Sequence, residues 1–414
     1  MRILLVNPNR YRTPPTPPLA LEYLQAAISR TRHESALLDL CFSATVVTDV
    51  QAAVDTFRPE VVGLTVRNID TALSPNNVFF LDEIRAVVEQ FQALGRAVIV
   101  GGAGFSFAPE SVRAFLGADY GVSGPGERAL PALLDRLENE TVPRGTIVDG
   151  WSHGIDVAAS TRRAGVVDYA AYLREGGVLG FETQKGCLAH CPYCREGGGR
   201  VVFKDPARIV EELQDLARRG LRDFHLCDTE FNQDVAHCHA FLNALIHSSL
   251  DLRWAAYLKT APYDEELFRL MRASGVHLIT VSHPTGPRGL EHLNTIRRLT
   301  HQHNIRLAVD YLCGLPGDTL ESVRHSVAEL RRIGPDTVGV NSALRLYPGL
   351  ALTDRILADP QFRPALSQPV SRPIDCLRPV FCQHITVPQL QDIIGDDPRF
   401  RIEGFDRRTN YQRL

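Results

Sequence analysis

Lysine is nearly missing from this chain: Lys185, Lys204 and Lys259 are the only three among 45 lysines and arginines in 414 residues. The arginine bias reflects a GC-rich coding sequence and says little about chemistry. Formal net charge is only −3, which excludes a strongly basic nucleic-acid binder. No run of about 18 uncharged apolar residues occurs, so a transmembrane helix is excluded and no membrane partner is expected. Residues 1–6 run straight into an apolar strand, without the apolar core and small-residue cleavage site of a secretory leader. A reducing cytoplasm is therefore expected, where the nine cysteines serve as thiols or metal ligands and form no disulfide framework. A Gly-x-x-x-x-Gly-Lys-Ser/Thr phosphate loop is also missing, as are internal repeats and low-complexity tracts.

What is present suits a soluble globular protein of two or three domains, with 44% hydrophobic and 22% charged residues. Residues 1–138 alternate short apolar runs (2–6, 35–39, 60–66, 96–100, 118–122) with amphipathic ones (18–30, 50–57, 79–94, 127–137). Strands that alternate with helices pair in parallel, so this part predicts a doubly wound, flavodoxin-like sheet with ligands beyond its carboxyl edge. Residues 139–177 break the rhythm and read as a linker with one short helix at 169–174. A second series follows over 178–350. Its strands are expected at 178–183, 223–227, 252–257, 277–281, 306–311 and 337–340, and its helices at 207–219, 235–247, 264–273, 290–302 and 320–333. Six such units predict a complete or partial TIM-like (βα)6 domain. Residues 351–414 carry prolines and no clear period, and read as a small C-terminal extension.

The strongest chemical signal is Gly186-Cys187-Leu188-Ala189-His190-Cys191-Pro192-Tyr193-Cys194, directly after the first strand of the second series. Three cysteines at C-x3-C-x2-C bring three thiolates onto one loop. They suit three irons of a [4Fe–4S] cube and leave the fourth iron open. A zinc site is the other reading of the spacing, although zinc usually takes four ligands from two separated pairs. The remaining cysteines, Cys41, Cys227, Cys238, Cys313, Cys376 and Cys382, follow no ligand spacing and are expected as small buried residues. His237 and His239 are expected in solvent.

The triad, with an aromatic residue before its last Cys and a (βα)6 domain around it, resembles the radical S-adenosylmethionine (AdoMet) superfamily. So do Gly314-Leu315-Pro316-Gly317-Asp318-Thr319 after the fifth strand and Arg345-Leu346-Tyr347-Pro348-Gly349, with Leu350 in place of that superfamily's Thr. Trp254-Ala255-Ala256-Tyr257-Leu258-Lys259 occupies the third strand, as in the cobalamin-linked branch. The resemblance implies that Cys187, Cys191 and Cys194 hold the cluster. It further implies that the open iron chelates AdoMet and that one-electron reduction releases a 5′-deoxyadenosyl radical. Tyr193, Asp228, Glu230, Lys259, Ser282 and Asp310 are the implied AdoMet-binding residues. Two turns depart from the usual pattern. Cys227-Asp228-Thr229-Glu230 stands where relatives often have Gly-Gly-Glu, and either carboxylate suits the AdoMet amino group. Val281-Ser282-His283-Pro284-Thr285-Gly286 stands where many have Glu-Ser-Gly.

In the first domain the glycines of Gly101-Gly102-Ala103-Gly104-Phe105-Ser106 follow strand four, whereas a dinucleotide fingerprint would follow strand one. Adjacent glycines at a strand end let a large flat ligand approach the backbone. Ser123-Gly124-Pro125-Gly126-Glu127 and Val66-Arg67-Asn68 end on the same edge. This set resembles the cobalamin-binding domain fused to radical AdoMet enzymes, and implies cobalamin contacts from Arg67, Asn68, Gly101, Gly102, Gly104, Ser106, Gly124, Gly126 and Glu127. The Asp-x-His-x-x-Gly motif that places a histidine on cobalt is missing, since the one histidine in residues 1–138 is His33, preceded by Thr31 where Asp is required. No protein imidazole on cobalt is therefore expected, with Arg67 nearest the lower face.

Together these features predict a cobalamin-dependent radical AdoMet enzyme. The expected activity is methyl transfer to an unactivated carbon, or a phosphinate phosphorus, of a small biosynthetic intermediate. The alternative uses the same cofactors for ring contraction, cyclisation, oxidation or atom exchange. Expected partners are a small-molecule substrate and a low-potential electron donor such as flavodoxin or ferredoxin.

Overall fold

The computed structural model describes residues 1–157, 163–284, 286–370 and 373–405. The chain divides into two compact units, one of Met1–Thr71 and Val78–Gly180, the other of Ala72–Asn77 and Phe181–Leu414.

The first unit is built on β1 (Arg2–Asn7), β2 (Glu34–Asp39), β3 (Val61–Thr65), β4 (Ala97–Gly101), β5 (Tyr120–Ser123) and β6 (Ile147–Asp149). Their order is β2-β1-β3-β4-β5-β6, and every pairing is parallel. The sixth strand comes from residues read above as linker; three residues are too few for a periodic signal. The helix expected at 169–174 is present as Tyr169–Arg174, capped by the Asp168 side chain accepting from Ala171 N at 3.1 Å. The core consists of Ile3, Leu5, Val61, Ile99 and Val122 from the strands, packed on Leu21, Ile28, Leu130 and Leu133 from the helices Leu19–Ile28 and Ala129–Asn139. Runs that bury both faces of a parallel sheet are continuously apolar, which is why these strands were legible.

The second unit opens with β7 (Leu179–Phe181). The antiparallel hairpin of β8 (Gln184–Cys187) and β9 (Arg200–Phe203) follows. Next come β10 (Asp223–Leu226), β11 (Arg253–Leu258), β12 (Val276–Ser282), β13 (Arg306–Leu312), β14 (Thr337–Asn341), β15 (Leu344–Leu346), β16 (Val380–Cys382) and β17 (Phe400–Ile402). The large sheet runs β17-β14-β13-β12-β11-β10-β7, so the expected six strands are joined by a seventh from the C-terminal segment, parallel to β14. β16 pairs antiparallel with β15. Thus two parts of the segment without clear period are strands, each only three residues long. Helix starts are fixed by side-chain caps: Asp205, Asp234 and Asp264 each accept a backbone N–H, and Thr319 and Ser322 form a capping box. Behind the sheet lies an aromatic cluster of Phe181, Phe231, Phe241 and Trp254, with ring centroids 5.7–6.2 Å apart. Trp254 Nε1 donates to Ser274 O at 2.9 Å, so its one polar atom is satisfied.

Candidate functional site

The carboxyl edge of the first sheet is closed by two loops pressed together. Gly104 N lies within hydrogen-bonding reach of both Val66 O (3.0 Å) and Arg67 O (2.9 Å), and Val66 N donates to Gly101 O at 2.7 Å. A Cβ on Gly104 would stand 2.9 Å from the Asn68 backbone; one on Gly102, whose φ is +102°, would stand 2.6 Å from Val66 O. These glycines therefore serve loop-on-loop packing within the protein itself. The turn after β4 continues as a short helix, Ala103–Phe107, which the reading of a bare glycine loop missed. Ser106 Oγ donates to Gly102 O at 2.9 Å and accepts from Gly124 N at 2.8 Å, which ties this loop to the one after β5. Gly124 has φ +84° and faces the Trp151 ring, and a Cβ on Gly126 would meet Leu24 at 2.9 Å. Glu127 is half-buried, while Arg67 and Asn68 are exposed at the edge. A cavity there is lined by Asn9, Arg10, Thr65, Arg67, Asn68 and Phe80. His33 is nowhere near this edge: it directly precedes β2, with Nδ1 3.0 Å from the N-terminal amine and Nε2 3.3 Å from Asp135. The edge thus offers a large ligand an exposed guanidinium and amide, and an exposed imidazole, His153, lies in the turn after β6 with its Nδ1 3.0 Å from Asp149 O.

In the second unit the Cys loop leaves the β8–β9 hairpin. Cys187 is buried at the end of β8, while Cys191 and Cys194 are half-buried in the loop. Gln233, in the single turn Phe231–Gln233, clamps the loop base: it accepts from Leu188 N at 2.6 Å and donates to Gly186 O at 3.1 Å. Two sulfurs already accept backbone N–H groups, Cys187 Sγ from Ala189 N at 3.4 Å and Cys194 Sγ from Glu196 N at 3.3 Å. Among the described residues, no three His, Cys, Asp or Glu side chains converge as a single ion would need. A cube makes no such demand, because each thiolate binds a different iron. The three thiolates of this one loop are the donor set that a cube takes. Tyr193 packs on the apolar cluster of Leu344, Leu346 and Val380, and burial pushes its hydroxyl up to about 12.

The two carboxylates after β10 differ sharply. Asp228 is buried and accepts from Thr183 N (2.9 Å), the Thr183 hydroxyl and Gln184 N (3.3 Å). Burial outweighs these donors and lifts its carboxyl to about 7. Glu230 keeps a buried Oε2 with no hydrogen-bond partner; burial also lifts it to about 7, against the pull of the Lys259 ammonium. The Lys259 backbone is fixed by Asn232, whose Oδ1 accepts its N–H (2.7 Å) and whose Nδ2 donates to its carbonyl oxygen (3.0 Å). Asp310, on β13, likewise has a buried unpartnered Oδ1, and burial followed by Glu403 and Glu230 holds its carboxyl far above the usual range. Ser282 is exposed at the end of β12, in register with Asp310; Thr285 of that turn lies outside the described residues. The second unit thus brings Glu230, Lys259, Asp310 and Tyr193 into one electrostatic neighbourhood.

Three residues of this neighbourhood were missed in the sequence. Glu403, just after β17, is held by its N–H to Val340 O at 2.9 Å and acts on Asp310 and Tyr257. Tyr257 is raised by burial among the three acids. His283 stacks on Tyr311 with ring centroids 4.7 Å apart, keeps an unpartnered Nε2 and is driven down to about 4 by burial. Two expectations fail. Cys227 is exposed, because it falls at the strand end where the chain turns outward. His237 and His239 are half-buried, the first against the Phe203 ring at 4.6 Å and the second 3.1 Å from Asp264.

Known proteins carry the same two folds. The B12-binding domain family matches residues 11–134. Tryptophan 2-C-methyltransferase of Streptomyces laurentii is 28% identical over 84% of this chain and 73% of its own length. The radical AdoMet methyltransferase TsrM from Kitasatospora setae, solved with cobalamin and a [4Fe–4S] cluster, superposes with a TM-score of 0.86 at 26% identity, covering 96% of this chain and 92% of that one. Its complex with tryptophan and aza-SAM gives 0.87 at the same identity, with 99% and 93% covered. A flavodoxin-like cobalamin domain followed by a partial (βα)6 barrel defines a class, the cobalamin-dependent radical AdoMet enzymes. This chain carries the B12-binding domain over residues 11–134 and shares the fold of these methyltransferases over nearly its whole length. No helix among the described residues is long and apolar enough to cross a membrane.

Proposed function

We propose that the chain transfers a methyl group from AdoMet to an unactivated carbon of a small biosynthetic intermediate, with tryptophan or a close analogue as the first substrate to try. The near-complete superposition on a tryptophan-bound methyltransferase carries this reading. When bound, the cofactors supply a cobalt-borne methyl group and the electron and chelation chemistry of an open iron.

The chain's own residues supply placement. Cys187, Cys191 and Cys194 hold the cluster, and the N–H groups of Ala189 and Glu196 fix two of the sulfurs. Glu230 takes the AdoMet ammonium, because its Oε2 is the open acceptor after β10. Asp228 holds the loop from beneath, since Thr183 and Gln184 already engage its carboxylate. Lys259, Ser282, Asp310 and Tyr193 complete the AdoMet side. Arg67 and Asn68 face the corrin from the first sheet's edge, on a base set by Gly101, Gly102, Gly104 and Ser106, with Gly124, Gly126 and Glu127 beside it. A low-potential flavodoxin or ferredoxin in the cytoplasm supplies electrons.

The test is turnover of the reconstituted protein with tryptophan, a reductant and AdoMet bearing a deuterated methyl group. A product carrying that methyl group supports the reading. An unlabelled, rearranged or oxidised product formed with 5′-deoxyadenosine overturns methyl transfer in favour of the non-methylating alternative.

A further inference from the structure

All but three of the chain's 45 lysines and arginines are arginine, and two of the three exceptions meet on one carboxylate. Glu182, the first residue after β7, has a largely buried side chain. Lys185 Nζ lies 2.9 Å from its Oε2 and 3.2 Å from its Oε1; Lys204 Nζ lies 3.0 Å from Oε2. Lys185 is on β8, and Lys204 directly follows β9, with its N–H donating to Thr183 O at 2.8 Å. The triad therefore pins both legs of the hairpin that presents the Cys loop. Burial pushes the Glu182 carboxyl up, but the two ammonium groups outweigh it and hold it at about 2, so the carboxylate stays charged at neutral pH. Lys185 stands two residues, about 7 Å along a strand, before Cys187. Charges this near and largely shielded from water are poorly screened by salt.

We infer that Glu182, Lys185 and Lys204 are positioning residues that set the reduction potential of the cluster held by the Cys loop. The inference rests on the proposed role of Cys187, Cys191 and Cys194. A cluster gains one negative charge when it takes one electron from a low-potential flavin or iron–sulfur donor. A neighbouring ammonium favours the reduced form, and a neighbouring carboxylate favours the oxidised form. Each ammonium raises the potential, which eases electron entry from the donor, and the carboxylate lowers it.

The experiment is a potentiometric titration of the anaerobically reconstituted full-length protein with dithionite, following the reduced cluster by electron paramagnetic resonance. The expected shift is to lower potential in K204Q, to higher potential in E182Q, and none in K204R. Opposite signs separate electrostatic tuning from simple loosening of the hairpin, which would not reverse with the charge removed. If E182Q fails to assemble a cluster, K204Q against K204R decides alone. Unshifted potentials, or a K204Q shift matched by K204R, overturn the inference. If the wild type yields no [4Fe–4S] signal, the cluster assignment itself falls, and the inference with it.

Discussion

Thr183 grips Asp228 twice, through its backbone N–H at 2.9 Å and through its hydroxyl, across 45 residues of sequence. Both donors are buried, and Gln184 N adds a third. In D228A these donors lose their acceptor at about 1–3 kcal/mol for each one left unsatisfied, so a total loss of roughly 3 kcal/mol in denaturant unfolding is expected. D228N keeps an oxygen for the N–H groups and should lose far less. E230Q should leave stability within about 0.5 kcal/mol and weaken AdoMet binding instead, measured by calorimetry. A stability loss in E230Q matching that of D228A would remove the distinction between the two carboxylates.

The pH dependence of stability follows from the same carboxyl. Asp228 is lifted to about 7 by burial. Its folded-state pKa therefore lies above the unfolded one, and its contribution is full below the ordinary carboxylate range and is lost as pH rises through 7. The unfolding free energy should fall between about pH 4 and pH 7, with a slope to which Asp228 adds up to one proton, and level off above. D228N should show a shallower slope in urea titrations at each pH. An unchanged slope would mean that Asp228 keeps its charge when folded.

Gly104 packs directly on the Asn68 backbone at the carboxyl edge of the first sheet. G104A forces a methyl group against the Asn68 backbone and must push the Val66–Asn68 segment outward. Cobalamin affinity should drop by about tenfold or more, equivalent to roughly 1.4 kcal/mol. The Cys-loop cluster, in the other unit, should assemble as before. Equal cobalamin retention by G104A and wild type on gel filtration would show that the loop pair is not part of the binding edge.

Replacement of Cys187, Cys191 or Cys194 by Ala should remove the brown cluster absorbance and all AdoMet cleavage while cobalamin stays bound, because the first unit has its own core. A full cluster in any single variant would contradict the assignment.

Cobalt should carry no protein nitrogen in the reduced holoenzyme. His33 is buried at the far end of the first sheet, beside the N-terminal amine; His153, in the turn after β6, has its Nδ1 3.0 Å from Asp149 O; and Arg67 has no lone pair to donate. Electron paramagnetic resonance of the Co(II) state should lack nitrogen hyperfine structure. The appearance of such structure, and its loss in H153A or H33A, would overturn this.

Strands and helices of the two βα series were legible because continuous apolar runs and amphipathic periods persist over five or more residues. The helices Val235–His247 and Leu320–Ile333 fall where their patterns place them. β6, β16 and β17 were not legible, since three residues hold no period and their pairing is decided by neighbours far away in sequence. The Cys loop was legible from spacing alone. The division of labour between Asp228 and Glu230 was not, because it depends on Thr183 reaching one carboxylate and not the other. Glu403 was invisible for the same reason: only the pairing of β17 with β14 brings it near Asp310.

That pairing also sets an order of events at the ribosome. β14 ends at residue 341, yet its neighbour β17 is made some sixty residues later, so during synthesis the sheet waits with one open edge. The barrel interior gains its Glu403 carboxylate only when residue 403 has emerged. The first unit's sheet, by contrast, is complete once residue 149 has been made. Maturation of this protein therefore has a built-in sequence, in which the corrin half is ready to load while the half that must receive iron and sulfide is still being made.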